Sequence, residues 1–135
     1  MMGTKRVIRK LFGESGQSMV EMALILPVLL LLLMGVMQFG LVMGSYLLMG
    51  NAAREGARLA AVGGTDSEIR ARVSAVSGAL DPDDLDITIS PTGTRARGTS
   101  VTITLEYPVD IFLPLPAGVI PDPLPLETFT TMRVE

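Results

Sequence analysis

The hydrophobic and polar positions divide the chain into a short basic start, a long apolar run and a polar remainder. Every residue from 22 to 37 is apolar, Gln38 interrupts the run, and residues 39–43 resume it. A bilayer core of about 30 Å needs about 20 such residues in a helix. A buried core helix is the other interpretation, but nothing else in the chain offers enough apolar surface to surround five consecutive leucines. We therefore expect the run to cross a membrane.

The charges around this run predict its orientation. Four cations lie within the first ten residues, namely Lys5, Arg6, Arg9 and Lys10, whereas residues 22–53 carry no charge. The positive-inside rule then places the N-terminus in the cytoplasm and the acidic remainder outside. A secretory signal usually has an apolar core of about 7–15 residues and a cleavage site. This run is longer and no convincing site follows it, so we expect a retained single-pass anchor in the cytoplasmic membrane.

The helix is expected to continue beyond the bilayer as a stalk. Residues 51–62 are rich in alanine, and Gly63-Gly64 is a strong stop signal. Residues 22–62 would span roughly 60 Å as a helix, about twice the hydrocarbon core. Three charged residues just beyond the bilayer form either a solvated collar or a docking surface for another subunit: Arg54, Glu55 and Arg58.

Three residues within the apolar helix have a predicted packing role. Pro27 removes one backbone hydrogen bond and should kink the helix, which membrane helices tolerate when neighbours satisfy the freed carbonyl. Gly40 and Gly44 form a small-xxx-small pair, which would allow a second helix to approach closely.

The polar remainder predicts a small α+β head. Thr65 and Glu68 form a capping box, followed by apolar residues at helical spacing as far as Leu80 and by Gly78 as a stop. Residues 85–90 and 101–107 alternate with period two and predict a β-hairpin, with a third antiparallel strand at about 126–134. Between them, residues 108–125 form a proline-rich apolar loop. It could lie on the sheet, on the membrane surface or on a partner.

Composition excludes most enzyme classes and many ligands. The chain has no Cys, His or Trp, which removes thiol nucleophiles, imidazole bases and the usual zinc and haem ligands. A net charge of −3 argues against a nucleic-acid partner. Asp81 and Asp83 match the first two EF-hand ligands, but the glycine at six and the glutamate at twelve are missing. We expect no enzymatic activity, no metal or other cofactor, and no small-molecule substrate.

Glu21 stands at the entrance of the apolar run, five residues after Gly16. Its carboxylate either marks the membrane interface, with its head in water, or has a dedicated cationic partner. The segment Gly-Gln-Ser-Met-Val-Glu at residues 16–21, after a basic leader and before an apolar helix, resembles the class III signal of type IV pilin-like proteins. In that family a prepilin peptidase cuts after the glycine. The glutamate is thought to pair with the freed N-terminal amine of a neighbouring subunit.

The resemblance extends to TadE-like proteins, the minor pilins or pseudopilins of the tight-adherence (Tad, or Flp) pilus. It is strongest over about residues 15–64 and is carried by residues 16–24 with Pro27, by Gln38-Phe39-Gly40, by Asn-Ala-Ala-Arg-Glu-Gly-Ala-Arg at residues 51–58, and more weakly by residues 131–135. The major Flp pilins typically carry Glu-Tyr where this chain has Glu21-Met22, and they are shorter. The resemblance therefore favours a minor, assembly-type subunit.

This resemblance implies cleavage between Gly16 and Gln17. Residues 1–16 would be a cytoplasmic leader, 17–64 the transmembrane and stalk helix, and 65–135 the extracytoplasmic head. The implied partners are the lipid bilayer, a prepilin peptidase, other pilin or pseudopilin subunits and the Tad inner-membrane assembly proteins. The alternative is an uncleaved signal-anchor protein whose extracytoplasmic head binds a ligand or a cell-surface partner.

Overall fold

The computed structural model describes residues 4–116 and 118–135, and over residues 4–15 it describes the backbone. The side chains of the basic leader therefore lie outside the described part. Five elements follow one another: α1 (Thr4–Ala61), α2 (Asp66–Val76), β1 (Asp86–Ser90), β2 (Ser100–Val109) and β3 (Leu124–Arg133). The expected α+β, pilin-like layout of one long apolar helix, one short helix and a three-stranded antiparallel sheet is confirmed.

The chain forms two compact units, Met1–Met37 and Gln38–Glu135. The first unit is made of the N-terminal part of α1. The second unit holds the rest of α1, α2 and the sheet. Residues 49–60 of α1, which we expected to be a stalk, contribute to the same core as the sheet. The division into a leader (1–16), a transmembrane and stalk helix (17–64) and a head (65–135) stays a prediction.

The sheet has the order β1-β2-β3, with β2 antiparallel to both neighbours. Val101, Ile103 and Leu105 on β2 are fully buried, and Ile87 and Ile89 on β1 lie beside them. This alternation is typical of a sheet with one face on the core and one in solvent. On β3 the even-numbered positions are half-buried and the odd-numbered ones exposed, as the period-two pattern predicts.

The long loop is shorter than predicted, because β2 extends to Val109 and β3 begins at Leu124. Pro108 and Pro125 lie opposite each other in the β2–β3 register. The sequence pattern places both prolines in the loop, since proline cannot donate a ladder hydrogen bond. β1, however, begins at Asp86, opposite Glu106. Past that point β2 has a strand neighbour on one side only, where a proline is tolerated.

The core of the second unit lies between α1, α2 and the sheet. Apart from Met49, its members on α1 are small, and those on α2 are the buried Ile69 and Val73. The buried apolar residues that α1 contributes are Met49, Ala52, Ala53, Ala57 and Ala60. Small side chains on a helix allow its backbone to approach the neighbouring elements closely. The alanine-rich segment is therefore a packing surface within this chain.

The predicted signals at the helix ends are confirmed. α1 ends at Ala61, and Gly63 adopts a left-handed φ of 89°, with its N–H donating to the Ala60 carbonyl at 3.1 Å. Thr65 and Glu68 form the capping box at the start of α2: the Thr65 N–H donates to the Glu68 carboxylate, and the Glu68 N–H donates to the Thr65 hydroxyl. α2 ends at Val76, before Gly78. Leu80 therefore lies in the turn that follows the helix, and its side chain is buried there.

Arg95 fastens the hairpin loop to the turn between the two helices. Its side chain is 3% exposed, and its guanidinium donates to the Asp66 carboxylate, to the Gly64 carbonyl at 3.1 Å and to the Pro91 carbonyl at 3.1 Å. Asp66 also accepts from the Gly93 amide at 2.9 Å. This amide hydrogen bond, together with Arg95, holds the pKa of Asp66 below its ordinary value. The network joins two segments that are distant in sequence.

Candidate functional site

The predicted cleavage and pairing residues occupy consecutive turns of α1. Gly16, Gln17 and Glu21 are all exposed helical residues of the first unit. The Gln17 side-chain amide donates to a Glu21 carboxylate oxygen at 3.0 Å, a contact that the i, i+4 spacing on a helix permits. The structure therefore places next to Glu21 the residue that would carry the new N-terminus if the chain were cut after Gly16.

Above Glu21, the apolar residues of the first unit are exposed around the whole helix. They include Leu24, Ile25, Leu29, Leu31, Leu32 and Val36, each about half exposed or more. Of the helices described, one, Gly16–Ala61, is long and apolar enough to cross a membrane. In water, a surface of this extent would be strongly unfavourable. Its composition fits a single-pass membrane anchor.

Pro27 lies within α1, and the helix continues through it to Ala61. Gly40 and Gly44 lie on exposed positions of the same helix, in the second unit. Within the described part of the chain, a Cβ added at either glycine would meet nothing within 4 Å beyond its own stretch of helix. This spot on the helix surface is therefore free to accept a neighbour's side chains or backbone, as the small-xxx-small pair predicts.

Gln38, the single polar residue within the apolar stretch, fastens α1 to the long loop. Its side-chain amide donates to the Asp110 carbonyl at 3.0 Å, and its amide oxygen accepts from the Phe112 N–H at 3.1 Å. Only 7% of Gln38 is exposed. Both ends of the amide are thus satisfied, which removes the penalty of burying it. The sequence singled out Gln38 as an interruption but did not indicate this partner.

The base of the loop at residues 110–123 is closed by a second polar contact. The Asp122 carboxylate accepts from the Ile111 N–H at 3.1 Å. Gln38 and Asp122 therefore both hold the first residues of the loop. Phe112, Val119 and Ile120 in this loop are exposed.

Gly56 is a packing residue that our sequence reasoning missed. A Cβ added there would lie 2.6 Å from the Val73 side chain and 3.5 Å from that of Ile69. Glycine is therefore required where α1 meets α2. In the run at residues 51–58, the small residues face the core and the charged ones face outward. The signal that could have revealed this face was the spacing of Ala52, Ala53, Gly56 and Ala60, which is that of one helical face.

The three charged residues of the expected collar have partners within the second unit. The Glu55 carboxylate accepts from Arg58 at 3.2 Å and from Arg72 on α2 at 3.0 Å. Arg54 donates to the Asn51 side chain at 2.8 Å. Glu55 therefore links α1 to α2. Arg54 and Arg58 remain exposed and available for contacts outside the chain.

Comparison with known families identifies the first half of this arrangement. Residues 16–58 match the TadE-like protein family. These residues are similar to a TadE-like domain. This domain runs from Gly16 and Glu21, through the apolar helix and Gln38, to the small-residue face that ends at Arg58. No significant match is found among curated proteins or among solved structures.

The TadE-like domain suggests a component of the Tad pilus assembly system, and the family is pilin-associated and not known as enzymatic. The match ends at Arg58, before α2 and the sheet begin. In this chain the last two turns of the domain, around Gly56, are packed against these later elements. The TadE-like segment thus combines an apolar anchor with the part of α1 that packs in the core of the second unit.

Proposed function

We propose that this protein is a minor pilin or pseudopilin that takes part in the assembly of a tight-adherence pilus. It would be a single-pass protein of the cytoplasmic membrane, with its N-terminus in the cytoplasm and the second unit outside. A prepilin peptidase would cut it between Gly16 and Gln17. The TadE-like domain supports the general assignment, and the acid at the entrance of an uncovered apolar helix supports the mechanism.

The observation that carries the proposal is the position of Glu21. The acid directly precedes an apolar surface that the rest of the described chain does not cover. Placing a carboxylate at the edge of a hydrocarbon phase is costly unless a cation compensates it. Cleavage after Gly16 would create an α-amino group on Gln17. Pairing this amine with Glu21 of a neighbouring subunit would relieve the desolvation of both charges.

Gln17 gives Glu21 a hydrogen-bond partner within the uncleaved chain. Before cleavage, its side-chain amide occupies one oxygen of Glu21 at 3.0 Å. A neutral amide is a weaker partner for a carboxylate than a cation is, because charge-assisted hydrogen bonds are roughly twice as strong. The amine of an adjoining subunit would therefore displace the amide. Maturation would then convert a locally satisfied acid into one that joins two subunits.

The exposed helix supplies the surface for lateral packing. Gly40 and Gly44 leave room for a close approach by a neighbouring helix, as small residues permit. Pro27 removes a backbone donor near the N-terminal end of the apolar segment. The partners of this helix would be other pilin or pseudopilin subunits and the inner-membrane proteins of the Tad system, with Arg54 and Arg58 available as docking residues.

Cleavage is tested by the intact mass of the protein. Co-expression with a prepilin peptidase should reduce the mass by that of residues 1–16, and Gly16→Ala should prevent this loss. Gly13→Ala is the matched control, since it changes a glycine of the same leader without changing the cut site, and it should be processed normally. An unchanged mass of the original sequence would instead favour the uncleaved signal-anchor protein.

Charge pairing is tested separately from cleavage. Glu21→Ala should still be cut but should co-purify less with the other pilin subunits, because the amine loses its partner. Glu14→Ala is the matched control: this acid leaves with the leader, so assembly should be unchanged. Normal assembly of the cleaved Glu21→Ala protein would disprove the pairing role while leaving the cleavage result valid.

A further inference from the structure

The loop at residues 110–123 presents an apolar tip on a polar base. Residues 111–121 contain no charged side chain, whereas Asp110 and Asp122 flank them. The base is held by Gln38 and by the Asp122 carboxylate. At the tip, Val119 is 63% exposed, and Phe112, Leu115 and Ile120 are each about two-fifths exposed. A structured loop that exposes this much apolar surface indicates a site of contact.

The position of the loop base indicates what that contact is. Gln38 is the first residue of the second unit and directly follows Met37, the end of the uninterrupted apolar run. A span of about 20 residues that starts near Glu21 ends within one helical turn of Gln38. The hydrogen bonds from Gln38 to Asp110 and Phe112 therefore join the base of the loop to a residue within one helical turn of the expected end of the span.

The backbone of the tip is suited to an apolar environment. Pro114, Pro116 and Pro121 have no N–H group, so these residues bring no backbone donor that would be left unsatisfied in lipid. Several of the remaining N–H groups are bonded within the second unit: those of Ile111 and Phe112 at the base, Leu115 to the Leu113 carbonyl, and Val119 to the Pro116 carbonyl. Four of the seven described N–H groups of the tip are therefore bonded without water.

We propose that the apolar tip, residues 111–121, inserts into the headgroup and acyl boundary of the bilayer. This inference rests on the membrane anchoring in the proposed function but not on cleavage or assembly. Asp110 and Asp122 set the depth, because their charges must stay in the aqueous interface. The tip carries no basic residue, so insertion depends on apolar burial and not on anionic lipids.

The absence of Trp from the chain makes the test direct. Val119→Trp and, independently, Phe112→Trp place a single fluorophore on the tip of the full-length protein, reconstituted in phosphatidylcholine vesicles. We expect quenching by lipids brominated near the headgroup, weak quenching by aqueous iodide, and no change when anionic lipid or salt is added. Phe129→Trp is the matched control, because Phe129 is 68% exposed on the sheet; it should show the opposite preference for the two quenchers.

Leu31→Trp, within the apolar helix, tests the membrane anchor separately from the insertion of the loop tip. If brominated lipid quenches this variant while both tip variants behave like Phe129→Trp, the loop proposal is overturned and the anchor stays intact. Failure of Leu31→Trp to be quenched by lipids brominated deep in the acyl chains would overturn the anchor and the proposed function with it. Shielding of the tip from iodide without lipid quenching, at high protein-to-lipid ratios, would mean that a second copy covers the tip and would also overturn the loop proposal.

As a second measurement, Gln38→Ala in the Val119→Trp protein tests how the tip is positioned. Loss of both amide contacts should raise iodide quenching and lower lipid quenching. Gln17→Ala is the matched control, since it removes a glutamine from the same helix without touching the loop. Equal lipid quenching with and without Gln38 would show that the tip does not depend on this residue for its position.

Discussion

The two parts of α1 have opposite surfaces although both are mainly apolar. Residues 22–37 carry large side chains, such as Leu31, that are exposed all round the helix. Between residues 52 and 60, the side chains on the buried face are small, such as Ala53, and fully buried. The difference teaches that side-chain size, and not apolarity alone, separates a surface that other molecules must cover from one that the chain covers itself.

The glycines of α1 also differ in whether the chain itself packs against them. Gly40 and Gly44 have open space around them, while Gly56 is pressed against Val73. The first two would matter for contacts with other molecules, whereas Gly56 matters for the folding of the second unit. A substitution at each place therefore reports on a different process, and this makes the comparison testable.

The largest expected effect comes from the core. Ile103→Ala should destabilise the second unit by about 2–5 kcal/mol, because Ile103 is fully buried between the sheet and the helices. Leu31→Ala should change its stability by less than about 0.5 kcal/mol, since Leu31 lies in the first unit. Chemical unfolding of the detergent-solubilised protein, monitored by hydrogen exchange in β2, measures the change in stability caused by each variant. Equal destabilisation by the two variants would contradict the division into two units.

A smaller effect is expected at the close contact between the helices. Gly56→Ala should destabilise the second unit by about 1–3 kcal/mol, because the new methyl group must displace Val73. The matched control is Gly50→Ala on the same helix, where the nearest atom is the mobile end of Arg54 at 3.8 Å. It should stabilise α1 by up to about 1 kcal/mol through helix propensity. Effects of the same sign, measured in the same unfolding assay, would refute the packing role of Gly56.

The smallest effect is the dependence of stability on pH. Hydrogen bonds from the Thr65 amide and hydroxyl lower the pKa of Glu68, as the Gly93 amide and Arg95 lower that of Asp66. A lowered folded-state pKa stabilises the fold above the unfolded-state pKa, and this contribution is lost as pH falls through the folded value. The second unit should therefore weaken below about pH 4.5.

Glu68→Gln tests the source of this weakening. Glutamine at the third helical position can still form a capping box, but it does not titrate. The variant should be folded at neutral pH and should lose less stability than the original protein between about pH 5 and about pH 3. A pH dependence identical to that of the original protein would exclude Glu68 as a contributor.

Local sequence signals predicted most of the elements. The capping box at Thr65, the stop at Gly63 and the alternation along β2 each depend on neighbours within a few residues, so the sequence pattern contains the needed information. The resemblance over the first half of the chain was likewise carried by contiguous motifs, and the match at residues 16–58 agrees with it. Cleavage at Gly16 and pairing through Glu21 stay predictions.

Contacts between distant segments were beyond this reasoning. Gln38 binds backbone groups more than 70 residues away, and no local pattern in the loop predicts a glutamine as its partner. The strand extension through Pro108 depends on where β1 begins, which is a property of the pairing register. The role of the alanine-rich segment required knowing that a sheet would be available for it to pack on.

The contacts of Arg95 also have a mechanical consequence. A pull on the last turn of α1 would reach the hairpin loop directly, since Gly64 is bonded both to Leu59 and to the Arg95 guanidinium. The turn between the helices and the hairpin loop would then bear the load together. In the proposed function, a subunit drawn outward by its helix would in this way keep its hairpin loop attached to that turn.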